Sequence, residues 1–168
     1  MVKNRMKVYH GTSGAAAESI RREQRFRESR KDNEWLGHGA YFFGYQRHAE
    51  FWIVNRRLKQ GTVLTVQLQF TSEEMLDLDD PDDFEALNQE MARLNEIIGP
   101  HIRVGPLDRK ELWKLWCLGC NLYRKLHPEI GIISYTFPQS KKKVGASGFC
   151  PNEKQLCVSR HEIIVGIT

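Results

Sequence analysis

The sequence predicts an α+β domain built on one split sheet or on two small packed sheets. Three observations lead there. Candidate strands at 6–10, 39–43, 62–70, 132–137, 155–159 and 163–167 are spread among helical stretches, with the last ones grouped near the end of the chain. The segment from Leu64 to Phe70 alternates apolar and polar residues, as a strand with one buried face does. Two apolar strands also meet small, hydrogen-bonding residues at their ends. One is Val8-Tyr9-His10-Gly11-Thr12; the other is Gly37-His38-Gly39-Ala40-Tyr41-Phe42-Phe43.

Met6 to Tyr9 reads as a strand leading into His10-Gly11-Thr12. Ser13 is a helix cap, and Ala15 to Arg22 follows as a helix with Ala16 and Ile20 inward. Gln24 to Glu34 is polar, rich in arginine and without period, so it reads as a long loop anchored at Trp35-Leu36. Gly39 to Phe43 is the next strand and Gln46 to Leu58 the next helix. After the strand 62–70 comes a stretch with nine acidic residues between Glu73 and Glu90, in which Met75, Leu76 and Leu78 are packed. Asp77 to Asp80 reads as the charged start of a helix rather than a calcium loop, because the glycine and glutamate such a loop needs are missing. Pro81 opens that helix, with Phe84, Leu87, Met91 and Leu94 on one side. Asp108 caps a further helix to about Leu126. Strands at 130–137, 155–159 and 163–167 complete the chain, with a basic loop at Ser140-Lys141-Lys142-Lys143.

At 168 residues, one domain over 1–168 is expected, and a chain of this size buries roughly 70% of its unfolded surface. No apolar run approaches the ~18 residues of a membrane span. The basic start, Met1 to Lys7, is followed by an apolar stretch too short for a signal-peptide core, so the expected location is the cytoplasm. Cys117 and Cys120 lack a second ligand pair at zinc spacing, since Cys150 and Cys157 are too far apart, so buried free thiols and no metal are expected. The net charge of +4 is uneven. Residues 1–70 hold 13 Lys+Arg against 6 Asp+Glu, whereas residues 71–168 hold 12 against 15. A positive N-terminal half suits an anionic ligand and a nucleic-acid partner.

The motif His10-Gly11-Thr12, then Gly37-His38-Gly39-Ala40-Tyr41-Phe42, then a polar or carboxylate position opening a C-terminal strand, resembles the ADP-ribosyltransferase superfamily. The match is to the diphtheria-toxin and poly(ADP-ribose)-polymerase branch, which uses histidine, tyrosine and glutamate. The middle of the chain, 71–130, carries none of it. The resemblance implies a split-sheet core with flanking helices and NAD as co-substrate. His10 would hydrogen-bond the adenine-side ribose, Gly11 would offer its backbone to the nicotinamide carboxamide, and Thr12 would add a hydroxyl. Tyr41 would stack on the nicotinamide ring, with Phe51, or Trp52 next, as the second aromatic from the following helix.

The third element departs from the family. Gln155 stands where the glutamate is expected, and Glu153 lies two residues earlier, on the same face if the strand has begun. Either Gln155 binds the ribose and Glu153 acts on the nucleophile, or Glu153 is itself the shifted glutamate. Only a carboxylate takes a proton, so any general-base role goes to Glu153. Arg25, with Arg21, Arg22, Arg27, Arg30 and Lys31, is placed to meet the pyrophosphate or an RNA or DNA acceptor. Phe26 and Trp35 are placed to stack on a base. The implied activity is transfer of a single ADP-ribose to a macromolecule, nucleic acid (RNA) ahead of protein. A bacterial toxin or phage-defence effector with a neutralising antitoxin protein fits that implication. The alternative is a degenerate module that holds NAD or ADP-ribose without turnover.

Overall fold

A computed structural model describes residues 2–98, 109–138 and 152–168. Asp108, Cys150 and the lysines 141–143 lie outside the described residues. The chain forms a mixed α+β domain: a seven-stranded sheet with four helices among the described residues. In chain order the elements are β1 (Asn4–Thr12), α1 (Gly14–Glu23), β2 (Ala40–Phe43), α2 (Gln46–Asn55), β3 (Thr62–Phe70) and β4 (Met75–Asp77). They continue with α3 (Pro81–Ile98), α4 (Arg109–Leu126), β5 (Ile132–Pro138), β6 (Asn152–Val158) and β7 (Ile164–Ile167). The strand order is β4-β5-β6-β2-β1-β3-β7, antiparallel except for the β4–β5 pair.

The local signals act as chemistry requires. Ser13 accepts a hydrogen bond from the Ala16 amide and starts α1. The alternating run 62–70 is β3 over its full length, with Leu64, Val66, Leu68 and Phe70 buried. β1 is longer than its apolar pattern. It pairs with β3 from Asn4–Phe70 to Thr12–Thr62, so Gly11 and Thr12 lie inside the strand with His10 rather than after it. Met75, Leu76 and Leu78 pack on the core as expected, and 75–77 also form a short strand, β4, aligned parallel to β5.

The acidic start of α3 is also more than a charged helix end. Asp80 accepts from the Asp82 amide there. Asp77 and Asp79, however, both take hydrogen bonds from the Lys154 ammonium at 2.8–3.0 Å, and Ser134 and Thr136 add theirs. Against the cost of partial burial, Lys154 and Thr136 hold the Asp79 carboxyl below the usual carboxylate range. This cluster ties β4 to β6 across β5.

Two apolar clusters lie on opposite faces. The first joins Val8, Phe42, Leu64, Val66, Leu68, Leu156 and Val158 to α1 through Ala17 and Ile20, with Phe26 from the long loop. The second joins Leu36, Leu76, Ile133 and Cys157 to Cys120 and Tyr123 of α4, with Trp35, Tyr41, Tyr135 and Phe137 around it. A cavity of about 420 Å³ opens between α3, α4 and β5 on this second face.

Candidate functional site

The feature that positions a site is a fork in the sheet. β1 and β2 share a single register pair, Tyr9 with Phe43. Beyond it β1 follows β3 and β2 follows β6. Phe43 is itself in register with Gln155, so Tyr9, Phe43 and Gln155 form one cross-strand row at the root of the fork.

His10 stands just beyond that row. Its Nδ1 lies 2.8 Å from the Tyr41 carbonyl oxygen. A carbonyl only accepts, so Nδ1 carries the proton and Nε2 is left as an acceptor. Among the described residues no protein group is hydrogen-bonded to Nε2. The ring is edge-on to Phe26 at 5.0 Å and Phe42 at 5.9 Å. Burial lowers its pKa from the ordinary 6.5 and outweighs the bond to Tyr41, so the imidazole is neutral near pH 7.

Gly11 needs to be glycine for a reason other than ligand approach. A Cβ there would sit 2.4 Å from the Ala49 carbonyl oxygen of α2. Thr12 ends β1 opposite Thr62 and is half-buried.

Tyr41 is on the second face, two residues from the root pair. Its hydroxyl donates to the Gly37 carbonyl at 2.8 Å and accepts from the Leu36 amide at 3.0 Å. Burial, with the Cys157 thiol beside it, pushes the phenol far above its ordinary range, so it stays neutral. The hydroxyl therefore braces the loop before β2, and what Tyr41 offers a ligand is its ring. That loop is held further by α4. Arg124 donates to the His38 and Cys157 carbonyls at 2.8 and 2.9 Å, and Asn121 accepts from the His38 amide at 2.8 Å. Gly37 has φ +83, and a Cβ on it would lie 2.8 Å from the Asn121 side chain. Packing under α4 explains Gly37, and β6 explains Gly39 (φ +154), where a Cβ would lie 2.6 Å from the Val158 carbonyl oxygen.

β6 begins at Asn152, so Glu153 and Gln155 lie on one strand and one face, the face of Tyr41. Their side chains are joined: the Gln155 amide donates to the Glu153 carboxylate. The Gln155 oxygen accepts from the Trp35 indole N–H at 2.9 Å. An indole N–H only donates, so this contact fixes which end of the amide faces Glu153. Gln155 is buried and Glu153 half-buried.

His10 is on the first face and Tyr41, Glu153 and Gln155 on the second; across the fork the His10 ring is tied to the Tyr41 backbone carbonyl. Phe51 projects outward from α2, 48% exposed, with the Arg47 guanidinium over its ring. Trp52 is the α2 aromatic that meets β2, packing on Phe43 at 6.1 Å with Arg56 above it. Arg25 rims a polar recess of about 290 Å³ formed by residues 23–30. Phe26 lines that recess and touches His10, so one side chain separates the two. Arg22 and Arg30 have exposed acidic partners, while Arg25 has none among the described residues.

The roles of Trp35 and Arg124 rest on long-range contacts that the sequence does not show. A tryptophan in an otherwise polar loop, and Asn121 and Arg124 one turn apart on an amphipathic helix, were the available signals. Cys117 and Cys120 are buried free thiols. Among the described residues no group of His, Cys, Asp and Glu is arranged to hold a metal, and no helix is long and apolar enough to cross a membrane.

No family model matches the chain, and no solved structure matches it. A curated relative, an uncharacterized protein of Methanocaldococcus jannaschii, is 35% identical over 80 residues, which is 44% of this chain and 37% of that protein. The chain thus spans little more than a third of the relative it matches.

Proposed function

We propose that the fork is an NAD site and that the protein is a mono-ADP-ribosyltransferase with an ADP-ribosyltransferase-like core. The observation that carries this reading is the tautomer of His10. A buried neutral imidazole with its proton tied to Tyr41 presents Nε2 as an acceptor, which suits a ribose hydroxyl. The donor set fits the rest of a dinucleotide. Arg25 offers the pyrophosphate a guanidinium that has no acidic partner among the described residues, the Tyr41 ring offers a face to the nicotinamide, and Glu153 offers a carboxylate.

NAD would supply a nicotinamide–ribose bond whose pyridinium nitrogen takes up the bonding pair, so that nicotinamide leaves neutral and positive charge develops on the ribose. The Trp35–Gln155–Glu153 chain of hydrogen bonds favours Glu153, rather than Gln155, as the group that acts on the reaction. Gln155 then aims the carboxylate. Glu153 stabilises positive charge developing on the ribose as nicotinamide leaves and takes the proton of the incoming nucleophile. The acceptor is a macromolecule, nucleic acid ahead of protein. In a cell such an activity is toxic, so a neutralising partner protein belongs to this reading.

The test is incubation with labelled NAD and separated cell RNA, DNA and protein. Label is expected in the RNA fraction together with released nicotinamide. His10→Ala is expected to abolish labelling, and Glu153→Gln to reduce it by about 10²–10⁴-fold. Gln155→Ala is expected to reduce it less. Gln155, a neutral residue at the expected glutamate position, favours a second reading, an NAD-binding module without turnover. NAD binding without released nicotinamide would select it.

A further inference from the structure

The strand that ends at the fork carries an unusual exposed stripe. Lys3, Arg5, Lys7 and Tyr9 alternate along the chain. Met6 and Val8 pack into the first cluster, so Arg5, Lys7 and Tyr9 are on the other face of β1. Lys3 continues the alternation just ahead of the strand. Facing the stripe in register are Gln69, Gln67 and Thr65 of β3. Gly166 of β7 lies beside Gln67 and keeps the surface low.

The charge on this strip is uncompensated. β1, β3 and β7 contain no aspartate or glutamate. Lys3, Arg5 and Lys7 are exposed and pair with no acid among the described residues. Some cations outside the strip do meet an acid, as Arg22, Arg30, Arg93, Lys114, Lys154 and Arg160 show, while Arg25 beside the fork, like the strip, has none among the described residues. Tyr9 is half-buried, and among the described residues its hydroxyl has no hydrogen bond and its ring no aromatic partner.

We propose that this open strip of β1 and β3 docks single-stranded RNA and leads it to the fork. Lys3, Arg5 and Lys7 hold phosphates, Tyr9 stacks a base at the root of the fork, and Gln67 and Gln69 meet sugar hydroxyls. Like-facing residues on a strand are ~7 Å apart, a spacing that an extended nucleic-acid strand follows with successive phosphates. A flat sheet face suits unpaired bases, whereas the narrow major groove of an RNA duplex admits no side chains. The amide row opposite the cations is what favours a hydroxyl-bearing backbone over DNA. Delivery to a reacting centre rests on the NAD reading; the docking itself does not.

The experiment measures binding of the full chain to a labelled, unstructured single-stranded RNA, without NAD, across a salt series. The triple substitution Lys3→Gln, Arg5→Gln, Lys7→Gln is expected to weaken binding more than tenfold and to lower the salt slope by about 2, near 0.7 for each lost phosphate contact. Tyr9→Leu is expected to cost roughly fivefold or more. The charge-preserving triple Lys3→Arg, Arg5→Lys, Lys7→Arg should bind within about threefold of the parent, since the contacts are to phosphate charge. Lys125→Ala on α4 is the control and should bind as the parent does. His10→Ala should also bind RNA, so loss of labelling with retained binding separates the two readings. Unchanged binding by the glutamine triple overturns the proposal. Equal or tighter binding of the matching DNA overturns the assignment to RNA.

Discussion

On the β2–β6 side of the fork directed side-chain hydrogen bonds hold the polypeptide; on the β1 side, beyond the backbone ladder to β3, packing contacts do so. Residues 35–39 are tied down by the Tyr41 hydroxyl, the Asn121 amide, the Arg124 guanidinium and the Trp35–Gln155 bond. His10 and Gly11, by comparison, are positioned by two phenylalanine rings and by the backbone of α2, with one hydrogen bond at Nδ1. The difference suits the roles proposed for each side. A side that must keep a carboxylate aimed needs angular control, which hydrogen bonds give. A side that must keep an imidazole neutral needs a dry, close-fitting wall.

The polar side should therefore fail by leaving groups orphaned. Arg124→Met keeps the length of the side chain but strips the donors from the His38 and Cys157 carbonyls. The expected loss is about 3 kcal/mol of stability, since hydrogen bonds to a charged group are worth more than neutral ones and buried carbonyls are costly to leave unpaired. The Arg124 Nε, buried without a partner among the described residues, offsets part of this in the parent. Denaturant midpoints measure the loss, and an unchanged midpoint would break the contrast between the two sides.

The contact side should fail by shape. In Gly11→Ala the new methyl meets the Ala49 oxygen, a backbone atom that cannot swing away. α2 has to shift, at a cost of about 2 kcal/mol. Trp52 would move with it, away from Phe43. A change below about 0.5 kcal/mol, as at an ordinary surface site, would mean that α2 yields freely and does not fix the strand.

How far the sequence shows this arrangement depends on whether each signal is local. β3 alternates on its own, Ser13 and Pro81 cap and open helices through their own chemistry, and all three are legible. Whatever depends on pairing is not. The extension of β1 through Thr12 comes from its register with β3, and β4 exists because β5 offers an edge to three residues. The site divides the same way. The i, i+2 spacing of Glu153 and Gln155 already places them on one face, but the Trp35 bond that orients them spans 120 positions. Gly11, Gly37 and Gly39 stood out as glycines, while their cause, the approach of α2, α4 and β6, belongs to tertiary structure. Phe51 and Trp52 are adjacent in sequence, and only the docking of α2 decides that Trp52 turns inward.

The smallest effect tests the dry wall around His10 directly. Its folded pKa lies below the ordinary 6.5, so the folded chain binds this proton less readily than the unfolded chain does. Above 6.5 neither state is protonated there, and the site contributes no pH dependence. As pH falls below 6.5 the unfolded chain takes up the proton first, and stability declines until the folded pKa is reached. Below that both states are charged and the decline from this group stops. His10→Gln retains an amide donor for the Tyr41 carbonyl and cannot titrate. Its stability, followed from neutral pH downwards, should lack that part of the slope. Identical slopes in parent and variant would place His10 in contact with water. The wall of Phe26 and Phe42 would then not be what keeps Nε2 an acceptor.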